Sequence, residues 1–230
     1  MSEPGRITIP LRKWAIALGV MVALLTVLGV FAEYTRYFVD RDSEFVDYFS
    51  LTEEQNVPTW WSSLLLAACA VTVSFIAATT PRAPRRFKGH WALLSAIFCY
   101  MSIDEFVEIH EWLNSIEAFD NRSGFLHYGW VIPAGVLVAV FALSYLKFLF
   151  HLPPKTRIAV ALAGLLFVGG AVGTELILGA WTDAHGESNF TWAAIGAVQE
   201  SMEMMGSSLF LVAMLRYLGS SDLEVRFDGR

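Results

Sequence analysis

Ser102-Ile103-Asp104-Glu105-Phe106-Val107-Glu108-Ile109-His110-Glu111 lies inside an otherwise apolar run, from about 91 to 113. Such a run matches the ~20 residues that cross a bilayer as a helix. Four carboxylates and an imidazole therefore sit in a candidate membrane span, where ionisable groups are costly and mark function. No Lys or Arg lies in the same run to neutralise them.

The rest of the chain supports the membrane reading. Of 230 residues, 55% are hydrophobic, mean hydropathy is +0.50 and 17% are charged, against roughly 25% charged in soluble domains. Five further apolar runs, at about 14–32, 60–79, 128–150, 158–180 and 193–217, complete an all-α, polytopic six-helix bundle in one domain covering 1–230. The first run could be taken for a signal peptide, because Val30-Phe31-Ala32 fits a small-x-small cleavage pattern. Its length instead suits a retained span. Residues 33–59 read as an acidic, solvated loop with room for a short helix. Cys69 and Cys99 fall within apolar runs and are expected as small buried hydrophobes, not a disulfide.

Orientation follows from the bases. With six spans, 13 of the 16 Lys and Arg residues fall on the side of the termini and the 80–90 and 151–157 loops. Only Arg36, Arg41 and Arg122 fall on the other. The positive-inside rule makes both termini cytoplasmic. The expected location is a bacterial inner (plasma) membrane, with the lipid bilayer as the first partner.

Two more spans carry acids: Glu175 in the fifth, Glu200 and Glu203 in the sixth. At 1.5 Å per residue all seven acids fall in the outer half, roughly 3 to 14 Å from the midplane. On a continuous helix Asp104, Glu108 and Glu111 share one stripe, with Glu105 beside it and His110 turned away. Gly169-x-x-x-Gly173 and Gly206 are the small residues that would bring the fifth and sixth spans close to neighbours. The pattern implies a polar pocket between spans three, five and six, opening outward.

Seven carboxylates cannot all be ionised there without protonation, water or cations. Carboxylate-rich sets suit hard or borderline divalent metals. Asp104, Glu108, His110, Glu111, Glu200 and Glu203 are the candidate ligands, and Fe, Mn or Zn the candidate ions. Glu175 and Glu105 are the candidate catalytic residues, Glu175 as general base or further ligand. His127 and His185 could add an imidazole from the outer side. This leads to a metal-dependent membrane enzyme, hydrolytic or oxidative, acting on a lipid-like substrate. A cation or proton transporter stays open as an alternative, as does an accessory subunit of an oligomer or larger membrane complex. No nucleotide-binding, zincin or C-x-x-C motif is present, and the basic clusters need no nucleic acid.

The pair of motifs Asp104-Glu105-x4-His110-Glu111 and Glu200-x-x-Glu203-Met204 resembles uncharacterised bacterial multi-pass membrane proteins. That likeness covers two spans and implies no activity. A looser similarity is to intramembrane zinc hydrolases of the ceramidase and adiponectin-receptor kind. Those rely on several histidines where this chain has only His110, so their activity is not carried over.

Overall fold

A computed structural model of the chain describes residues 10–79, 87–109 and 123–219. Within them the chain is helical, with no strand. Helix α1 is Leu11–Phe38, α2 Glu44–Phe49, α3 Val57–Thr79 and α4 Lys88–Val107. After a short 3-10 turn at Gly124–Leu126 come α5, Val131–His151, and α6, Pro154–Val168. A π-helical segment at Gly169–Thr174 joins α6 to α7, Glu175–His185. The last helix, α8, is Phe190–Gly219.

Among the described residues, four helices are long and apolar enough to cross a membrane: α1, α3, α5 and the continuous α6–π–α7 rod, Pro154–His185. This is fewer than the six expected. Helices α4 and α8 have the length, at 20 and 30 residues, but their composition, with Asp104, Glu105, Glu200 and Glu203, sets them apart.

Helix α8 is the hub. It packs against α1, α3, α6, the π segment and α7, while α4 packs chiefly on α3. Small residues make the crossings close. A Cβ on Gly206 would stand 2.7 Å from the Phe167 backbone nitrogen and 2.8 Å from the Ala163 carbonyl oxygen. One on Gly170 would stand 2.9 Å from both the Gln199 carbonyl oxygen and Glu203 Cγ. Gly206 therefore does what its sequence position suggests. In the 169–173 pair, a Cβ on Gly169 would stand 3.2 Å from Met202 Cε, whereas one on Gly173 would meet open space; Gly170 makes the tight contact.

Hydroxyls tie the remaining pairs, as is common between helices in lipid. Ser63 and Ser102 each donate to the other's backbone carbonyl, at 2.7 and 2.8 Å, joining α3 to α4. Ser95 donates to the Ala70 carbonyl at 2.9 Å further along the same seam. Thr26 and Ser201 pair at 2.8 Å between α1 and α8. At one end of the bundle, Cys69, Ile76, Trp91, Phe148, Phe210 and Met214 form part of a dry core. The cysteines are free, as expected, but only Cys69 is buried, donating to the Ser207 carbonyl at 3.5 Å; Cys99 is exposed. An apolar run on a helix does not reveal which of its faces is covered.

Two boundaries differ from the sequence reading. Helix α1 continues past the apolar run to Phe38, so Glu33 is a helical residue only 1% exposed, not part of a solvated loop. Helix α4 ends at Val107, where Glu108 takes a left-handed conformation, φ 60° and ψ 40°, and caps it. The stripe of Asp104, Glu108 and Glu111 is therefore not a continuous helical face. His110 and Glu111 lie outside the described residues.

Substituting Gly206 with alanine drives Cβ into the α6 backbone, which cannot swing aside, at an expected cost of about 1–3 kcal/mol. Thermal unfolding in detergent should show a lower midpoint for Gly206→Ala and none of that loss for Gly173→Ala. Equal midpoints for both would contradict the close crossing.

Candidate functional site

A cavity of about 640 Å³ opens at the end of the bundle opposite the dry core. It is built from the start of α3, the end of α4, α7 and the first half of α8, with residues 50–55 along one side. Seven carboxylates line it: Glu53, Glu54, Glu105, Glu108, Glu175, Glu187 and Glu200. Among the described residues, no Lys, Arg or His lines it. Tyr128, Trp130 and Trp192 supply the aromatic part of the wall.

Of the sequence-nominated acids, Glu105, Glu108, Glu175 and Glu200 reach this wall. Asp104 does not; it accepts a hydrogen bond from Tyr100 one turn earlier on α4. Glu203 also lies off the wall, its Cγ seated where only glycine at 170 leaves room. Both α8 acids still feel Glu54, Glu105 and Glu175 electrostatically. Among the described residues, no group of three or more His, Cys, Asp and Glu side chains is arranged to hold a metal ion. Of the expected six ligands, His110 and Glu111 lie outside the described residues, and the other four form no such group. His127 instead faces Asp183 at 3.8 Å, and His185 stacks on Trp181 at 4.0 Å between ring centroids. Neither lines the cavity.

Residues 50–56 form a strap over the cavity, fixed at both ends. At the α1 end, buried Glu33 accepts hydrogen bonds from the Ser50 and Thr52 hydroxyls at 2.5 and 2.9 Å. Arg36 reaches Glu33 at 3.4 Å and Glu53 at 2.7 Å, so one lining acid has a cation behind it. Leu51 packs directly on Gly29, where no Cβ would fit. Asn56 holds the strap's own curve, donating to the Ser50 and Glu53 carbonyls at 2.7 Å each. At the α4 end, Gln55 donates to Glu108 at 3.0 Å. Both partners have φ near 60°, a conformation that costs a non-glycine residue about 1–3 kcal/mol and clusters at functional sites.

The aromatic wall is equally tied. Trp130 Nε1 donates to Glu175 at 3.3 Å. Trp192 Nε1 donates to the Tyr128 hydroxyl at 3.3 Å, and that hydroxyl donates to Glu187 at 3.0 Å. Burial, reinforced by the nearby Glu187 charge, pushes the Tyr128 phenol up to about 12, although its bonds with Thr182 and Trp192 pull the other way.

A family model described as a domain of unknown function (DUF8692) matches residues 15–218. The chain belongs to that family. No curated protein and no solved structure matches it. In this DUF8692 chain, the sequence reading places Glu33, Glu53 and Glu54 in a solvated loop and does not single out Glu187. The available signal was their density in two outer loops that flank the acidic spans.

Replacing Glu33 with alanine leaves Ser50, Thr52 and Arg36 without their shared acceptor. The expected loss is about 1.5–3 kcal/mol, the range for hydrogen bonds to a charged group. Hydrogen exchange over residues 50–56 should accelerate; unchanged exchange would show that Glu33 does not hold the strap. The raised Tyr128 value has its own consequence. An unfolded phenol ionises near pH 10 and the folded one near pH 12, so stability falls as pH rises through that window. Chemical unfolding between pH 9 and 12 should show a shallower decline for Tyr128→Phe than for the parent.

Proposed function

We propose that this DUF8692 chain is a polytopic membrane protein that binds a cation in its acidic cavity. In this reading α1, α3, α4, α5, the α6–π–α7 rod and α8 all cross the membrane. Both termini are cytoplasmic, and the cavity opens on the outer face of a bacterial plasma membrane. The bias of 13 basic residues out of 16 toward one side supports the orientation.

One observation carries the proposal: among the described residues, seven carboxylates share a wall that no Lys, Arg or His lines. Carboxylates crowded at one site repel one another and lose hydration. A cation relieves both penalties at once. The opposite end of the bundle is filled by large apolar side chains such as Trp91, Phe148, Phe210 and Met214. That packing supports a blind cavity that binds, in preference to a polar path that conducts.

A narrower second reading places a divalent Fe, Mn or Zn ion there and makes the protein a metal-dependent hydrolase or oxidoreductase acting on a lipid-like substrate. Its support is that Glu105, Glu108 and Glu200 reach one wall from α4 and α8. His110 and Glu111 follow directly in sequence. Asp104 and Glu203 would be the outlying ligands and Glu175 the base.

Calorimetry on the nanodisc-embedded protein tests the cation reading with Mn²⁺, Zn²⁺, Mg²⁺ and a linear amine series. At least one should bind saturably, and a Glu105→Gln/Glu200→Gln variant should bind it at least tenfold more weakly. A folded parent that binds none of them would overturn the proposal.

A further inference from the structure

We propose that a groove between α1 and α8 holds an acyl chain of an anionic phospholipid, whose phosphate pairs with Arg12 and Arg216. The site is separate from the acidic cavity. It rests on the membrane arrangement proposed above and not on cation binding.

The groove has a volume of about 510 Å³. Ala15, Gly19 and Ala23 of α1 line one side, and Met205, Leu209 and Val212 of α8 the other. Thr26 and Ser201 lie at its far end, where their hydroxyls bond to each other at 2.8 Å. Ser208 is the remaining polar residue of an otherwise apolar wall. From Ala15 to Val27 the groove is roughly 18 Å long at helical rise. One leaflet of hydrocarbon is about 15 Å deep, half of the bilayer core. The groove therefore has the length and chemistry of a single lipid tail.

Charge identifies the head. Gly19 and Ala23 lie seven and eleven residues beyond Arg12, within about 20° of its face at about 100° per residue. Leu209 and Met205 stand in the same relation to Arg216. Both guanidinium-bearing residues are exposed, each one turn past the groove's near end at Ala15 and Val212. The positive-inside bias accounts for bases at this end of the bundle. It does not account for two of them falling on the face of one groove. Two arginines above an apolar slot fit a phosphate above a hydrocarbon chain, because a guanidinium matches phosphate oxygens bidentately.

Gly19 adds an independent observation. A Cβ there would meet nothing within 4 Å, whereas Gly29 on the same helix is filled by Leu51. Glycine inside a helix is destabilising unless a close approach uses it, and no described residue uses Gly19. A lipid tail does. A second copy of α1 packed in parallel across the same glycine would instead set Arg12 against its counterpart, and juxtaposed like charges are costly.

The test is native mass spectrometry on the detergent-purified full chain, titrated with dioleoyl phosphatidylglycerol or dioleoyl phosphatidylcholine. Phosphatidylglycerol should be retained at least fivefold more than phosphatidylcholine. Arg12→Gln/Arg216→Gln should bring that preference below twofold. Gly19→Leu fills the groove without a clash and should lower phosphatidylglycerol retention at least fivefold. Equal retention of the two lipids by the parent, from a chain recovered in the membrane fraction, would overturn this site alone. So would a Gly19→Leu variant that keeps its phosphatidylglycerol, or a parent dimer that Gly19→Leu dissolves, which would give the groove to a second copy. Recovery of the parent in the soluble fraction would overturn the membrane arrangement and this site with it.

Discussion

In the membrane arrangement proposed above, a carboxylate cannot be stranded against lipid, and that constraint orders the whole bundle. The helix with Glu200 and Glu203 has to be innermost, so α1, α3, α6, the π segment and α7 surround α8. An innermost helix also has to be thin, because each neighbour must reach it. Gly196, Ala197, Ser201, Gly206 and Ser207 are all buried on α8. Enclosing the acids and closing the packing are thus one requirement, met by one helix. The other acid-bearing helix, α4, is held to α3 by reciprocal serine bonds that need no bulky contact.

The bundle divides along its length. One end is packed with aromatic and aliphatic side chains and gives the structure its rigidity. The other is hollow and charged, which works against stability. Positive-φ backbone at Gln55 and Glu108, the buried Glu33 and the strap it anchors all belong to this second end. Strain and buried charge persist where the surroundings over-determine them, and the dry core at the far end supplies that surplus. In the proposed reading, a charged hollow built on a rigid base keeps its acceptors in position before a cation arrives.

Much of this was readable in the chain. Counting residues along helices places Glu105, Glu108, Glu175 and Glu200 at similar depth, because helical rise is fixed whatever the side chains do. They do share a wall. Gly206 was legible as a contact point because only glycine leaves room for a crossing backbone. Other features had no local signature. Glu108 ends α4 without a glycine or proline to announce it, so the inferred stripe with Glu111 rested on a helix that stops. Glu33 looked like loop because hydropathy falls there, whereas its burial depends on Ser50 and Thr52, 17 and 19 residues later. Glu53, Glu54 and Glu187 join the wall through tertiary folding alone. Glycine richness at 169–173 signalled close approach but not the π register that makes Gly170, and not Gly173, the contact.

That register matters beyond packing. A π turn is an α turn holding one residue more than it needs. Taking a single residue out of 169–174 would restore regular α winding and leave Glu175 and Leu178 facing the cavity much as they do now, because the π turn had absorbed the extra residue. Taking one from the regular turns of α7 would instead rotate everything beyond it by about 100°, and Thr182 would lose Tyr128. The π segment is thus the place where this rod can change length by one residue without re-facing the chamber.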